Sequence, residues 1–371
     1  MEAQIRKIII TSIEIAGMMF LYWILDTQGM LKYFISTAIG IFILIIFYRD
    51  LDVLKEDWPL AIPVMIHCGL GLILSLFGGT KSIWTIKCMV FWIFPILFAY
   101  LICLIYVNDR KRMINQTFFG SVFAYLICNR YYFITEGYCE STFAFVFGLF
   151  ILYYCWDKQW IKAIIAALCM HLANKRIAVL AVVACVVLMI LMKVLKYEKK
   201  WISRAWISLM AVVGVYVYSI YSGVFMNLCI KLGIDTSHRL EVYPVVVEQI
   251  PDKYFFGRGL GTTNELLVNY LNPWLYQWFE NPHNDFLKIF VDLGAIGLVL
   301  FMVGYLLVIY MTSKRGVTNR AASQLFVIFV YFMLLMTTDN VSIYILFLVP
   351  MYSICLALMG EKEELHENHA K

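Results

Sequence analysis

Charge is scarce in this sequence. Only 15% of its 371 residues are Asp, Glu, Lys or Arg, against 62% that are hydrophobic, and the mean hydropathy is +0.79. That balance excludes a soluble globular domain and defines a polytopic membrane protein. Flexible linkers, internal repeats and low-complexity tracts are also missing, so positions 1–371 read as a single membrane domain. There is no HExxH and no CxxC pair; a protein-bound catalytic metal is not indicated, and no cofactor is expected. The net charge of +5 calls for no nucleic acid, because membrane proteins carry excess Lys and Arg in their cytoplasmic loops. Most of the ten cysteines fall within apolar runs as small buried hydrophobes. Cys139 and Cys229 alone fall in loops on one side, which leaves a bridge between them open.

What is present is a succession of apolar runs. About 20 mostly apolar residues are needed to cross the hydrocarbon core as a helix. Runs approaching that length occur near 7–25, 30–48, 60–77, 83–107, 114–128, 142–156, 160–173, 177–196, 205–221, 286–312, 321–338 and 341–359. The fold class is therefore all-α, with about twelve transmembrane helices; the fifth to seventh runs are short and open to merging or re-entrance. Arg6 and Lys7 precede a first run without an obvious cleavage site, which is expected to be retained. With the N-terminus inside, the inner loops carry nearly twice as many Lys and Arg as the outer ones. This puts both termini in the cytoplasm and the long loop 222–285 outside. On that topology Asp50-Leu51-Asp52 lies inside as a solvated loop, the outer side has no Asp-x-Asp pair, and His366 and His369 sit in a frayed charged tail.

The polar chemistry collects in and just after the long loop. Asp235, Thr236 and Ser237 are good N-cap types before Leu240, Tyr243, Val247 and Ile250 at helical spacing, so a helix is expected to begin near His238, with Pro244 kinking it or setting its true start. Arg239 would then sit at a helix N-terminus beside free N–H groups, a favourable place for phosphate, unless it only snorkels to headgroups. Gly257-Arg258-Gly259-Leu260-Gly261 has its third glycine one residue early for a dinucleotide motif and lacks a βαβ setting; it reads instead as tight turns folding the loop back on the membrane surface. Trp274, Tyr276, Trp278 and Phe279 suit an interfacial aromatic belt or sugar stacking. His283 is of a side-chain type that titrates near neutrality, and Asp285 nearby is placed to orient it, to accept a proton, or simply to cap the next helix. A second cluster, His171-Leu172-Ala173-Asn174-Lys175-Arg176, puts cations outside against the positive-inside trend. Arg176 and Arg239 together would clamp a pyrophosphate through their planar donor forks. Lys175, Arg258, Asn284 and Asp285 complete the candidates for substrate contact.

Together these residues resemble the bacterial O-antigen polymerase and O-antigen ligase superfamily. The likeness covers about a third of the chain, in patches from Arg176 onward and densely from His238 to Leu298. It rests on an Arg-Leu-Glu helix start (Arg239, Leu240, Glu241), a Phe-Gly-x-Gly-Leu-Gly turn (Phe256, Gly257, Gly259, Leu260, Gly261), a His-Asn-x-x-Leu element (His283, Asn284, Leu287) and a Leu-Gly-x-x-Gly-Leu helix (Leu293, Gly294, Gly297, Leu298). The resemblance implies a metal-independent glycosyltransferase of the cell membrane that polymerises undecaprenyl-pyrophosphate-linked repeat units at the outer face. Its partners would be that donor, membrane lipid and other polysaccharide-export proteins. It also implies that Arg176 and Arg239 hold the pyrophosphate while His283 positions or deprotonates the acceptor hydroxyl. The family often has Ser-Arg where this chain has Lys175-Arg176. Ligase-type transfer to a lipid or wall acceptor is the alternative within the class, and a lipid-linked glycan transporter the alternative outside it. A transporter would keep its ionisable groups near the bilayer midplane, whereas here Glu14 and Lys87 are the few that fall well inside apolar spans.

Overall fold

The computed structural model describes residues 2–26, 57–78, 80–137, 140–234, 236–248, 250, 255–276 and 279–361. The expected span 30–48, Asp50-Leu51-Asp52, Cys139, Asp235, Trp278 and the tail with His366 and His369 lie outside them. Cys229 is a free, buried thiol.

Every regular element among the described residues is helical. The bundle is made of α1 (Glu2–Asp26), a 3-10 turn Trp58–Ala61 leading into α2 (Ile62–Gly78), α3 (Ser82–Ile105), α4 (Arg110–Cys128), the short α5 (Arg130–Thr135), α6 (Phe143–Trp156), α7 (Trp160–Leu172), α8 (Arg176–Val194) and α9 (Lys199–Tyr221). The loop contributes α10 (Val224–Lys231), α11 (Arg239–Val247), α12 (Thr262–Tyr270) and α13 (Pro273–Tyr276). It is followed by α14 (Asp285–Lys314), α15 (Asn319–Met336), a 3-10 turn Val341–Ile343 and α16 (Ile345–Met359). Among the described residues, six helical stretches are long and apolar enough to cross a membrane, and four more apolar helices are shorter. Eleven of the twelve expected runs thus correspond to helices. The three short ones remain separate: α4 reaches back to Arg110, while α6 is almost wholly buried and α7 is only 13 residues long.

The two ends of the bundle differ. At one end, called here the far face, Arg110 pairs with Asp57 at 2.8 Å and Arg320 with Asp157 at 3.2 Å. The other end, the loop face, is covered by the loop, which has its own apolar core: Ile220, Val242, Tyr243, Val246, Leu266, Leu267, Leu271, Leu275, Phe279, Leu287 and Val291. Enough apolar surface is buried there to order the chain despite the loop's length. Neither of the two intra-span charges is isolated. Glu14 pairs with Arg112 at 2.9 Å, and the Lys87 ammonium lies 3.7 Å from Glu280 of the loop. Lys87 therefore reaches the loop face.

α14 explains how the loop is seated. Its 30 residues would extend about 45 Å at 1.5 Å per residue, well beyond a hydrocarbon core of about 30 Å. Gly294 breaks it with φ 76° and ψ −178°, a conformation that glycine adopts without penalty. The 255–259 turn satisfies backbone groups around the break: Gly259 N donates to Asp292 O at 2.9 Å and Ile296 N to Phe255 O at 3.2 Å. The Asp292 carboxylate then accepts from Gly261 N (3.0 Å), Thr263 N (2.8 Å) and Thr263 Oγ1 (2.7 Å). The glycine-rich turn is thus more than a fold-back on the surface; it is docked into a break in a membrane helix. Gly259, at φ 115°, lies directly against the Ser75 backbone of α2, where a Cβ has no room.

Candidate active site

The site forms where the loop meets the turn between α15 and α16. His283, the residue before the α14 cap, has φ 50°. Its Nδ1 lies 3.4 Å from Asp339 Oδ1, within ion-pair range though long for a tight hydrogen bond. The ring is 28% exposed while Asp339 is nearly buried, at 7%. Phe279 packs at right angles to the imidazole, 5.2 Å between centroids. Asp339 Oδ1 also accepts from Tyr344 Oη at 2.7 Å and Asn340 N at 2.8 Å. Burial alone pushes the Asp339 carboxyl up, but the hydrogen bonds from His283 and Tyr344, with the charges of His283 and Lys175, outweigh it and hold the group below the ordinary carboxylate range. An ionised carboxylate at Nδ1 leaves Nε2 as the imidazole nitrogen available to a substrate hydroxyl.

Arg239 joins the loop to the same turn. Its Nη1 donates to Thr236 O at 3.0 Å and its Nη2 to Thr338 O at 2.9 Å. A guanidinium has five N–H donors, so this anchoring leaves donors over. Arg239 Nε, Thr338 Oγ1 and Asn340 Oδ1 are buried without a hydrogen-bond partner among the described residues. Orphaned buried polar atoms are uncommon, and several gathered at one turn mark a place where a polar ligand belongs.

The cap of α11 differs from expectation. His238, in the left-handed conformation at φ 64°, occupies the N-cap position without a side-chain cap bond, and Thr236 and Ser237 do not serve as caps. The amides of Arg239, Glu241 and Val242 are already bonded to the Thr236 and His238 carbonyls. The helix start therefore offers an anion less than expected, and phosphate recognition there falls to the guanidinium. Pro244 lies inside the helix without ending it.

Asn284 and Asp285 are buried and committed. Asn284 Oδ1 caps α14 by accepting Leu287 N at 3.0 Å, so the cap is Asn284 and not Asp285. Its Nδ2 donates to Tyr216 Oη at 3.0 Å and reaches Tyr243 Oη at 3.5 Å, and Tyr216 Oη donates to Thr337 O at 2.7 Å. Asp285 accepts from both the backbone N–H and the hydroxyl of Ser342. Expected as substrate contacts, both instead fix the loop to α9 and to the 337–344 turn. Lys175 pairs with Glu140 at 2.7 Å, and its charge acts on Asp339. Arg176, the first residue of α8, is exposed. Arg258 stands apart: its carbonyl accepts Thr80 Oγ1 at 3.0 Å at the α2–α3 tip, and no hydrogen bond or ion pair among the described residues ties it to His283 or Arg239.

Asp339 and Tyr344 escaped the sequence reading. Asp339 is the only acidic residue between Asp292 and Glu361, a lone carboxylate between two apolar runs, and that was the available signal.

Fold and site together define a polytopic, all-α membrane protein with an Arg-His-Asp group held under a folded loop. Residues 161–302 match the family model described as O-antigen ligase, which bears out the resemblance to the O-antigen polymerase and ligase superfamily. That match indicates a glycosyltransferase-like membrane enzyme acting on lipid-linked glycan. It includes Lys175, Arg176, Arg239, Arg258 and His283, and ends before Asp339. No curated protein matches the chain.

Proposed function

We propose that this protein polymerises undecaprenyl-pyrophosphate-linked repeat units at the outer face of the cytoplasmic membrane, both termini being cytoplasmic. The observation that carries the proposal is the convergence of Arg239, His283 and Asp339 on one turn, with buried donors and acceptors left unpartnered beside them. In the reaction the acceptor hydroxyl oxygen attacks the anomeric carbon of the donor sugar. The bond from that carbon to the phosphate oxygen breaks, and the carrier pyrophosphate departs with the electron pair. His283 Nε2 takes the hydroxyl proton and Asp339 steadies the cation formed, so Asp339 is a positioning residue. Arg239, with Arg176 and Lys175, balances the charge growing on the pyrophosphate. Because pyrophosphate is already a good leaving group, orientation and charge balance supply most of what is needed, without a metal.

The deciding experiment is glycan analysis in cells carrying His283→Ala at normal membrane abundance. A polymerase mutant accumulates single repeat units on the carrier at the outer face. Long carrier-linked chains that are never transferred identify a ligase, and units trapped at the inner face identify a transporter. Full-length product at normal levels removes His283 from the mechanism.

A further inference from the structure

A second surface adjoins this site. Trp274 in α13 has 58% of its surface exposed, yet the residue is fixed from below. Asn272 Oδ1 accepts its backbone N–H at 3.0 Å, and the neighbouring Leu275 is buried in the loop core. The imidazole of His238 meets the indole at 85°, 5.7 Å between centroids, so it covers at most one face. His238 Nδ1 in turn lies 2.8 Å from Glu241 Oε1, with both side chains about half exposed. The group is thus an exposed aromatic plate with an imidazole and a carboxylate beside it.

We propose that Trp274, His238 and Glu241 form a glycan-binding subsite, with a sugar ring lying on the open indole face and its hydroxyls bonded to Glu241 and His238. A pyranose presents an apolar C–H face and a rim of hydroxyls, the complement of an aromatic plate beside an acceptor and a donor. A lipid tail would satisfy the plate but strip water from the polar pair without replacing its hydrogen bonds. Position supports the same occupant. His238 directly precedes Arg239, whose guanidinium reaches the turn that holds Asp339, so a glycan whose phosphate end rests at Arg239 has the plate beside its first sugar units. This inference rests on the transferase reading above.

The test uses the full-length protein in nanodiscs. The probe is the free oligosaccharide released by mild acid from the cells' own carrier-linked glycan, which carries neither lipid nor pyrophosphate. Saturation-transfer NMR reads binding and identifies the sugar protons on the ring. Wild type binds, Trp274→Ala raises Kd about tenfold, and Trp274→Tyr keeps most of the affinity because a ring remains. Glu241→Gln weakens binding about threefold. Absence of wild-type binding, unchanged binding in Trp274→Ala, or equal losses in the Ala and Tyr variants each overturn the proposal. Trp274-dependent binding together with normal product from His283→Ala overturns the catalytic reading and leaves the subsite standing.

Discussion

Asp292 is the residue on which the seating of the loop most depends, and its substitution gives a graded prediction. Its carboxylate accepts two backbone amides, Gly261 N and Thr263 N, and one hydroxyl, Thr263 Oγ1, all in a buried setting. Asp292→Asn can still accept the Thr263 donors through Oδ1 but turns an NH2 group toward Gly261 N–H, stranding one donor. At about 1–3 kcal/mol for each buried unsatisfied donor, the expected loss is ~2 kcal/mol. Asp292→Ala strands both amides, while the Thr263 hydroxyl can rotate toward Lys288 O, 3.5 Å away; the expected loss is ~4 kcal/mol. Because the contacts join the loop to α14, the loss falls on loop opening more than on the bundle. At about 1.4 kcal/mol per factor of ten, opening becomes about 30-fold more favourable in the Asn variant and about a thousandfold in the Ala variant. Hydrogen–deuterium exchange of residues 259–276 in nanodiscs measures this directly. Protection within about threefold of wild type in Asp292→Ala refutes the clamp, as does an equal effect in both variants.

Arg239→Lys keeps the charge but loses the paired bonds to Thr236 O and Thr338 O; glycan product is expected to fall at least about tenfold, and near-normal product would reduce Arg239 to a lipid anchor. Asp339→Asn should lower product formation strongly at unchanged membrane abundance. Because the folded-state pKa of Asp339 is depressed, its contribution to stability is fully present above the ordinary carboxylate value near 4 and is lost as pH falls through the lower folded value. The Asp339 contribution to the wild-type Tm should therefore be complete and independent of pH between about pH 5 and pH 8, and a fall in this range that Asp339→Asn abolishes would contradict the assignment. Gly259→Ala places a Cβ against the Ser75 backbone at φ 115° and should cost ~3 kcal/mol, read as a lower Tm; wild-type Tm would refute the packing. For sidedness, a cysteine at Asn264 would report burial, since Asn264 is enclosed and bonded to Glu280 O and Asn281 Oδ1. Asn269→Cys, on the exposed side of α12, is the informative position in a background lacking Cys139 and Cys229. Labelling by an impermeant thiol reagent in intact cells, with Lys158→Cys protected, is expected, and the reverse pattern inverts the topology.

The sequence by itself determined the medium, the kind of element and the place where the chemistry gathers. Apolar runs of membrane length leave helices as the solution, because lipid offers no partner to an unpaired backbone group. That constraint is local, and so the runs were legible one at a time. The same holds for the short motifs around Arg239, Gly257–Gly261 and His283, whose residue types and order survive without any knowledge of packing. Tertiary structure decided the partnerships. Asp339 lies 56 positions after His283, and no periodicity links them; they meet only because α14 and α15 run antiparallel and return the chain to the loop face. Asn284 and Asp285 carry the polarity of ligand-binding residues, yet packing buries them and bonds them to Tyr216 and Ser342. Arg258 sits in a conspicuous motif but is carried to the α2–α3 tip by the docking of the glycine turn at Gly294. A residue's chemistry is written at its own position, whereas its exposure and partners depend on segments distant in the chain, and those are fixed only when the helices pack.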